Sequence, residues 1–208
     1  MVDPEAFLAL LKRRRSRREI TSRDVEPEKI ERALQAAMRA ASGANAQPWE
    51  YVLIERGPIR DAIRLLCEHA DEDFHKRSPA WLRSFFKDHA ITPLKQFTQE
   101  APLLVAVFGR RELPFWLQSV WLSVGNFINA LELEGLHSLT YTPSLDKQFN
   151  KLLGVEETWS LQALLPVGYG KPDERLEPRP RKNLAEKVRV VNGEGVQRAY
   201  SPKLPFEP

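Results

Sequence analysis

Apolar residues recur every three or four positions in the first part of the chain, a spacing typical of amphipathic helices. The pattern predicts a short helix over residues 4–12 and a longer one that begins at Pro27 and stops at Gly43. Residues 48–55 are rich in β-branched and aromatic side chains and predict a strand. A third helix is expected over residues 58–70.

The second half of the chain alternates apolar runs with helical periods. Residues 101–109 form an uninterrupted apolar run, which predicts a strand buried on both faces. The helix expected over residues 114–134 is apolar on nearly every side, so we expect it to run through the middle of the molecule. A strand, a short helix and a last strand are predicted over residues 135–142, 144–154 and 159–170. This order predicts an α+β layer fold with a mixed sheet packed by helices.

A poorly patterned helical excursion over residues 70–100 interrupts this order, and within it a helix is predicted over residues 79–88. The rings of Trp81, Phe85 and Phe86 lie in this stretch. A lid over an aromatic substrate would need such rings exposed, whereas packing in the core is the competing interpretation. We therefore hypothesise that the excursion covers a substrate.

Composition limits the class of protein. The 208 residues suit one domain, and 31 basic residues are nearly offset by 28 acidic ones, leaving a net charge of +3. No apolar run reaches membrane-spanning length, and the basic residues follow the first apolar stretch, the reverse of a secretory signal. We therefore expect a cytoplasmic protein without membrane or nucleic-acid partners.

The sequence lacks the residue patterns of several common functional sites. Neither the Rossmann nor the P-loop glycine pattern occurs, and the Gly-x-Ser-x-Gly nucleophile motif is missing. The four histidines are scattered without the spacing of metal ligands, so no metal site is expected. Cys67 is the single cysteine, and its helical apolar context predicts a buried core residue.

Three polar segments remain to be explained. Residues 13–18 hold five arginines and a serine, which could bind a phosphate through guanidinium forks or remain a solvated charge run. Residues 41–49 gather amides and hydroxyls in a turn suited to a planar polar heterocycle, or form an ordinary helix-to-strand loop. Residues 173–183 place Arg179 and Arg181 on one side of an extended segment, or form a basic tail.

Together, in this order and at these spacings, the segments resemble the nitroreductase family of FMN-dependent oxidoreductases. The matching motifs are Arg-Arg-Ser-x-Arg at residues 14–18, Ser-Gly-x-Asn-x-Gln-Pro-Trp at 42–49, Gly-Tyr at 168–169 and Arg-Lys-x-Leu at 181–184. The resemblance implies a three-layer α/β/α sandwich with a mixed central sheet and an extended C-terminal tail. It implies a single domain over residues 1–208, with a C-terminal arm over 171–208.

The resemblance also implies an FMN site shared between two copies of the chain, because family members are homodimers with FMN at the subunit interface. The residues implied to hold the flavin phosphate and ribityl chain are Arg14, Arg15, Ser16, Arg18, Arg179 and Arg181. Those implied to reach the flavin of the other subunit are Ala41, Ser42, Gly43 and Asn45. The loop from Thr140 to Ser144, with Thr140, Tyr141 and Thr142, is implied to lie by the isoalloxazine ring and to offer it backbone hydrogen bonds.

The implied activity takes a hydride from NAD(P)H onto flavin N5 and passes it to a nitroaromatic, quinone or similar small oxidised substrate in a ping-pong cycle. No side chain is required as a general base, so no catalytic residue is assigned. Relatives that dehalogenate, oxidise heterocycles or cleave flavin offer an alternative reaction on the same fold and cofactor. A basic nucleic-acid-binding module is a second alternative, disfavoured by the small charge excess and the missing motif.

Two stretches depart from the family pattern. Many members carry an Asn and a Lys shortly before the strand that corresponds to residues 101–109, and here residues 94–100 read LKQFTQE without a matching pair. The contact to the pyrimidine edge of the flavin is therefore unassigned. Residues 140–144 read TYTPS rather than Pro-x-Glu-Gly, which leaves the donor to N5 and the substrate preference unassigned.

Overall fold

The structure is a computed structural model that describes residues 3–174, 176 and 180–204. The chain divides into two compact units, Met1–Glu174 and Arg175–Pro208. The elements of the first unit are α1 (Pro4–Arg13), α2 (Pro27–Met38), β1 (Trp49–Ile54), α3 (Ile59–Arg77), α4 (Ala80–Asp88), α5 (Phe97–Glu100), β2 (Leu103–Arg110), α6 (Trp116–Leu133), β3 (His137–Ser138), α7 (Asp146–Leu153) and β4 (Trp159–Gly168). The single-domain organisation over 1–208 stays a prediction.

The sheet of the first unit has the strand order β1-β2-β4-β3, and neighbouring strands are antiparallel. A parallel bridge between Ser16 and Ser138 adds the segment after α1 to the β3 edge, which makes the sheet mixed. The predicted strand over residues 101–109 is confirmed as β2, and its six inner residues are buried. The sheet therefore has one edge at β1 and the other at β3.

Helices cover both faces of the sheet, which confirms the predicted three-layer sandwich. Alternate residues of β2 point to opposite faces. Val105 and Val107 pack in one cluster with α2 and α6, whereas Leu104, Ala106 and Phe108 pack in another with α3 and α7. Because both faces are buried, β2 needs apolar residues at every position, and the run in the sequence supplies them.

Helix α6 does not run through the middle of the molecule, so that expectation was wrong. One of its faces packs on the sheet through Val120, Val124 and Phe127. The other face leaves Leu117 and Leu122 more than two-fifths exposed. A helix that is apolar all round but only half covered leaves an apolar surface on the single chain.

Two helix ends differ from their predictions for local reasons. Helix α2 ends at Met38 rather than at Gly43, and Gly43 instead begins a short 3-10 turn. A Cβ on Gly43 would lie 2.4 Å from the Phe115 ring, so this glycine serves a close approach. Helix α3 runs past residue 70 to Arg77 and ends before Pro79, which disfavours helical geometry in the residue before it.

The strand predicted over residues 135–142 is interrupted. Strand β3 spans two residues, and pairing resumes at Tyr141, which bridges Leu164 in the same register. The helix predicted over residues 79–88 is confirmed as α4, and the helix predicted to stop at Gly154 is confirmed as α7.

The second unit, described at 176 and 180–204, is not simply an extended arm. It contains α8 (Leu184–Lys187) and a hairpin of β5 (Arg189–Val191) and β6 (Gln197–Ala199). Asn183 and Glu186 form a capping box that begins α8. Asn192 accepts hydrogen bonds from two backbone N–H groups in the hairpin turn, where Gly195 has φ of +82°. These local turn contacts explain the extra structure.

Candidate functional site

The arginine-rich opening segment is fixed to the β3 edge of the sheet. Beyond the bridge to Ser16, the Ser138 carbonyl accepts a hydrogen bond of 3.0 Å from the Arg17 backbone N–H. Arg14 and Arg15 are half-buried, whereas Ser16 and Arg18 are exposed. The segment therefore presents its charge from a defined position rather than from a loose tail.

Two arginines of the same run have structural partners. The Arg13 guanidinium donates a hydrogen bond of 2.8 Å to Glu132, which is 3% exposed. Arg17 pairs with Glu174 and donates to the Lys171 carbonyl at 2.9 Å. Glu132 thus holds the segment just before Arg14, and Glu174 holds it at Arg17, between Ser16 and Arg18; the motif alone did not reveal these pairs.

The loop predicted to lie by the flavin begins two residues after Ser138, so the structure brings it to the same edge as the opening segment. Tyr141 is joined to β4 through both its N–H and its carbonyl, at 3.2 and 2.8 Å from Leu164. Thr140 is half-buried and Thr142 is exposed. Two of the three predicted parts of the site are thus neighbours in one chain.

Two clefts meet at this loop. The larger, of about 1240 Å³, lies between α3, Phe86, Ile91 and residues 141–145. The smaller, of about 880 Å³, lies on α7 and β4 and shares Thr142, Pro143 and Ser144 with the first. A planar ligand against the loop would therefore border open space large enough for a second molecule.

The turn over residues 42–47 has an unusual backbone. Ala44, Asn45 and Gln47 have φ of 53°, 53° and 45°, in the left-handed region that non-glycine residues seldom adopt. The Ser42 hydroxyl accepts a hydrogen bond of 3.1 Å from the Gln47 N–H, and the Gly43 N–H donates to Ser119 at 3.3 Å. The turn is thus held in a strained conformation by its own contacts, a feature typical of binding sites.

This turn lies far from the opening segment within one chain. Gly43 contacts Ser119 near the beginning of α6, whereas Arg13 contacts Glu132 near its end. At 1.5 Å per residue these contacts lie roughly 20 Å apart along the helix. A single chain therefore does not bring Ala41, Ser42, Gly43 and Asn45 together with the arginines.

The two remaining arginines belong to the second unit. Arg181 is exposed and precedes α8. Arg179 lies outside the described residues. Their predicted role at the phosphate stays a prediction.

A polar cluster around the buried Lys95 lies next to the loop and was not predicted from the sequence. The Tyr141 hydroxyl donates a hydrogen bond of 2.7 Å to Asp71, and the other oxygen of Asp71 lies 2.5 Å from the Lys95 ammonium. Lys95 is 5% exposed and comes from the stretch in which no Asn and Lys pair was found. The only indication in the sequence was a lysine close to the apolar residues Leu94 and Phe97. That pattern does not identify the carboxylate with which Lys95 pairs.

Cys67 and His75 are two further titratable residues on α3. Burial raises the pKa of the Cys67 thiol to about 12, so Cys67 remains protonated at neutral pH. The His75 ring stacks on Phe86 at 4.1 Å. In the part of the chain that the structure describes, no three metal-ligating side chains form a group that could hold a metal ion. Over the same residues, no helix combines the length and the apolar character that a membrane span requires.

Comparison with known proteins defines the class. A family model described as Nitroreductase family matches residues 11–169. The chain therefore belongs to the nitroreductase family, in agreement with the resemblance of its motifs.

Within the family, the chain is similar to deiodinases. Iodotyrosine deiodinase of Thermotoga neapolitana is 34% identical over 175 residues, which cover 84% of this chain and 93% of that protein. Iodotyrosine deiodinase 1 of Mus musculus is 31% identical over 192 residues, covering 86% of this chain and 67% of that protein.

Two solved structures are also similar to this chain. Oxidized iodotyrosine deiodinase bound to FMN and 3-iodo-L-tyrosine superposes with a TM-score of 0.81 at 31% identity, covering 88% of this chain and 99% of that one. A nitroreductase with bound FMN from Bacteroides fragilis gives a TM-score of 0.72 at 19% identity, covering 92% and 100%, and this likeness shows the fold alone.

Proposed function

We propose that the chain is an FMN-dependent enzyme that reductively removes halogen from halogenated aromatic compounds. The observation that carries the proposal is the 34% identity to a deiodinase over 84% of the chain. The fold match to the structure that holds FMN and 3-iodo-L-tyrosine supports it. Dehalogenation was an alternative at the level of the sequence, and the comparisons favour it over nitroreduction with NAD(P)H.

The residues present fit the phosphate group of FMN. Arg14 and Arg15 are half-buried beside Ser16 on a backbone that is fixed to the sheet edge, and guanidinium forks match phosphate oxygens. The residues proposed to hold the phosphate and ribityl chain are Arg14, Arg15, Ser16, Arg18, Arg179 and Arg181. Thr140, Tyr141 and Thr142 are proposed to border the ring.

A homodimer is proposed to complete the site. The turn over residues 42–47 cannot reach Arg14 and Arg15 of its own chain, because contacts at opposite ends of α6 hold the turn and the opening segment apart. A second copy would supply the turn. Several large apolar side chains of α1 and α6 support this arrangement because they are exposed on the single chain: Phe7, Leu8, Leu11, Leu117, Leu122 and Leu133.

When bound, FMN would supply the two electrons that, together with one proton, convert an aryl carbon–halogen bond into a carbon–hydrogen bond, with the halogen leaving as halide. The chain's own contribution is binding and exclusion of water. Phe74, Phe86 and Ile91 line the larger cleft with apolar surface for a substrate ring. NAD(P)H is proposed as the reductant because the family resemblance implies it.

Reduction of nitroaromatics or quinones is the second candidate. The match to the nitroreductase family model favours it, and the larger cleft has the volume for such rings. Both candidates use the same residues for FMN, so substrate turnover distinguishes them.

The test begins with the purified protein. We expect a flavin absorption spectrum, release of FMN on denaturation, and iodide release from 3-iodo-L-tyrosine or 2-iodophenol once the flavin is reduced without air. Turnover of a nitroaromatic without halide release from either iodinated compound would favour the second candidate, and a colourless protein that takes up no FMN would refute both.

A pair of variants tests the phosphate site. Arg15→Gln removes a half-buried charge from the opening segment, and we expect FMN affinity to fall at least about tenfold. Arg110→Gln removes an arginine at the end of β2 that pairs with the exposed Glu112, away from the opening segment, and serves as the matched control. Equal affinities of the two variants would contradict the assignment.

A further inference from the structure

The Glu174 side chain lies against the opening segment and accepts three hydrogen bonds from it. One of its oxygens accepts from the backbone N–H groups of Arg18 and Glu19, at 2.8 and 3.3 Å. The other oxygen accepts from the Arg17 guanidinium. The Glu174 side chain is 7% exposed and that of Arg17 is 16% exposed. Because removal of a carboxylate from water is unfavourable unless it is paired, these three donors are what allow Glu174 to lie here.

The chain that carries Glu174 is itself paired with the opening segment. The Lys171 N–H donates a hydrogen bond of 2.9 Å to the Glu19 carbonyl. The fully buried Ile20 forms an antiparallel bridge with Gly170. Glu174 therefore approaches the opening segment from a backbone that is already fixed beside it.

Arg17 turns toward this closing segment. A Cβ on Gly170 would lie 2.7 Å from a guanidinium nitrogen of Arg17, so any other residue at 170 would displace the guanidinium. The same guanidinium donates to the Lys171 carbonyl at 2.9 Å. Within the arginine run, Arg17 is thus directed at Glu174 and the Lys171 carbonyl, and its charge is matched by a carboxylate.

A carboxylate beside a phosphate-binding segment requires an explanation, since like charges repel. What Glu174 supplies is direction. The backbone around residue 17 is held on one side by the bridge between Ser16 and Ser138 and on the other by the bond from the Arg18 N–H to Glu174. A segment ordered before its ligand arrives loses less conformational freedom on binding, which increases the affinity.

We propose that Glu174 is a positioning residue that sets the backbone presenting Ser16 and Arg18 to the FMN phosphate. Arg17 is the counter-ion of Glu174 rather than a phosphate ligand. This inference rests on the proposed function, since it takes the opening segment to bind FMN. Glu174 is also the last residue of the first unit, so the same contacts fix the point at which the chain leaves that unit.

Two flavins separate the phosphate contact from the rest of the site. FMN carries the phosphate and riboflavin lacks it, whereas the ring and the ribityl chain are the same. In Glu174→Ala we expect the Kd for FMN to rise about tenfold and the Kd for riboflavin to stay unchanged. Loss of a negative charge alone would lower the Kd for FMN, so a rise reports orientation. Quenching of flavin fluorescence on binding measures both Kd values.

Two further variants support this test. Asp24→Ala is the matched control, because it too removes a carboxylate that pairs with an arginine, the exposed Arg56, and we expect it to change neither Kd. Glu174→Gln keeps an oxygen for the two N–H groups but loses the ion pair with Arg17. It should raise the Kd for FMN by less than Glu174→Ala does, again without a change for riboflavin, and it keeps the test decisive where Glu174→Ala does not fold.

Amide hydrogen exchange in the protein freed of flavin is the second readout. We expect the amides of Arg18 and Glu19 to exchange about tenfold faster in Glu174→Ala and at an unchanged rate in Asp24→Ala, because only the first variant removes their acceptor.

A Kd for FMN in both Glu174 variants that equals or falls below that of Asp24→Ala would overturn the proposal. So would equal rises for FMN and riboflavin, which mark a merely structural role, or unchanged exchange of the two amides in Glu174→Ala. Failure of the proposed function is seen separately, as absence of FMN binding or of halide release in the unaltered protein.

Discussion

Strand β2 and helix α4 stand at opposite extremes of burial. Six consecutive residues of β2 are buried, whereas every side chain of α4 keeps some exposure to solvent. The sheet is stabilised by apolar burial on both faces, whereas the excursion of residues 70–100 contacts the loop after β3 through the hydrogen bond from Tyr141 to Asp71. The difference indicates that the stability of the first unit depends mainly on the sheet, whereas the lid hypothesis places substrate contact in the excursion.

The largest effect is expected in the apolar core. Phe127 is fully buried and contacts the Tyr51 ring edge-on at 5.4 Å. Phe127→Ala should lower the free energy of unfolding by about 3–5 kcal/mol, because the cavity adds to the lost transfer energy. Chemical denaturation at fixed protein concentration measures the change, and a loss below about 1 kcal/mol would contradict the core assignment.

A second prediction concerns the point where the excursion joins the sheet. The buried Arg60 guanidinium donates to the carbonyls of Ile54, Glu55, Ala101 and Pro102. Arg60→Met leaves these acceptors without their donor and should cost about 3 kcal/mol in chemical denaturation.

The matched control is Arg56→Met. Arg56 pairs with the exposed Asp24, and its loss should cost under about 1 kcal/mol. Similar losses of unfolding free energy in Arg60→Met and Arg56→Met would contradict the stabilising role assigned to the buried Arg60.

The stability of the core is also expected to depend on pH, through the buried thiol of Cys67. Burial raises the pKa of Cys67 from 9.0 to about 12. Between these values the unfolded chain has lost the thiol proton and the folded chain keeps it, so the unfolding free energy falls with rising pH, by on the order of 1.4 kcal/mol per unit. Cys67→Ala should remove this part of the slope; an identical slope in both proteins would contradict it.

The smallest effect on stability is expected on α4. Trp81 is 70% exposed and Phe85 40% exposed, so replacing both with alanine should change the unfolding free energy by about 0.5 kcal/mol or less. The same variant should raise KM for an aromatic substrate if these rings cover it, as the lid hypothesis states. Lys87→Ala on the same helix is the control, and equal KM values for the two variants would refute the lid.

Apolar periodicity predicted β2 and α7 because their burial depends on neighbours at fixed spacing. It failed for the last two turns of α3, where Phe74 is the single apolar residue and Pro79 follows the helix. The mixed sheet was predicted, but the bridge from Ser16 to Ser138 joins residues whose proximity no local pattern encodes.

The site shows the same limit. The motif located the opening segment, but it did not show that Arg13 and Arg17 are held by Glu132 and Glu174, which lie 119 and 157 residues further along the chain. The cluster of Asp71, Lys95 and Tyr141 was not predicted because its members are common polar residues with no sequence spacing of their own. Long-range charge pairing requires the fold.

The Arg60 anchor has a consequence for how such a protein can diversify. One guanidinium binds both the exit from β1, at Ile54 and Glu55, and the return to β2, at Ala101 and Pro102. The two ends of the intervening segment, residues 56–100, are therefore held together by one side chain. Substitutions in α4, the outer helix of this segment, can therefore adapt it to a new substrate without changing the residues that stabilise the sheet.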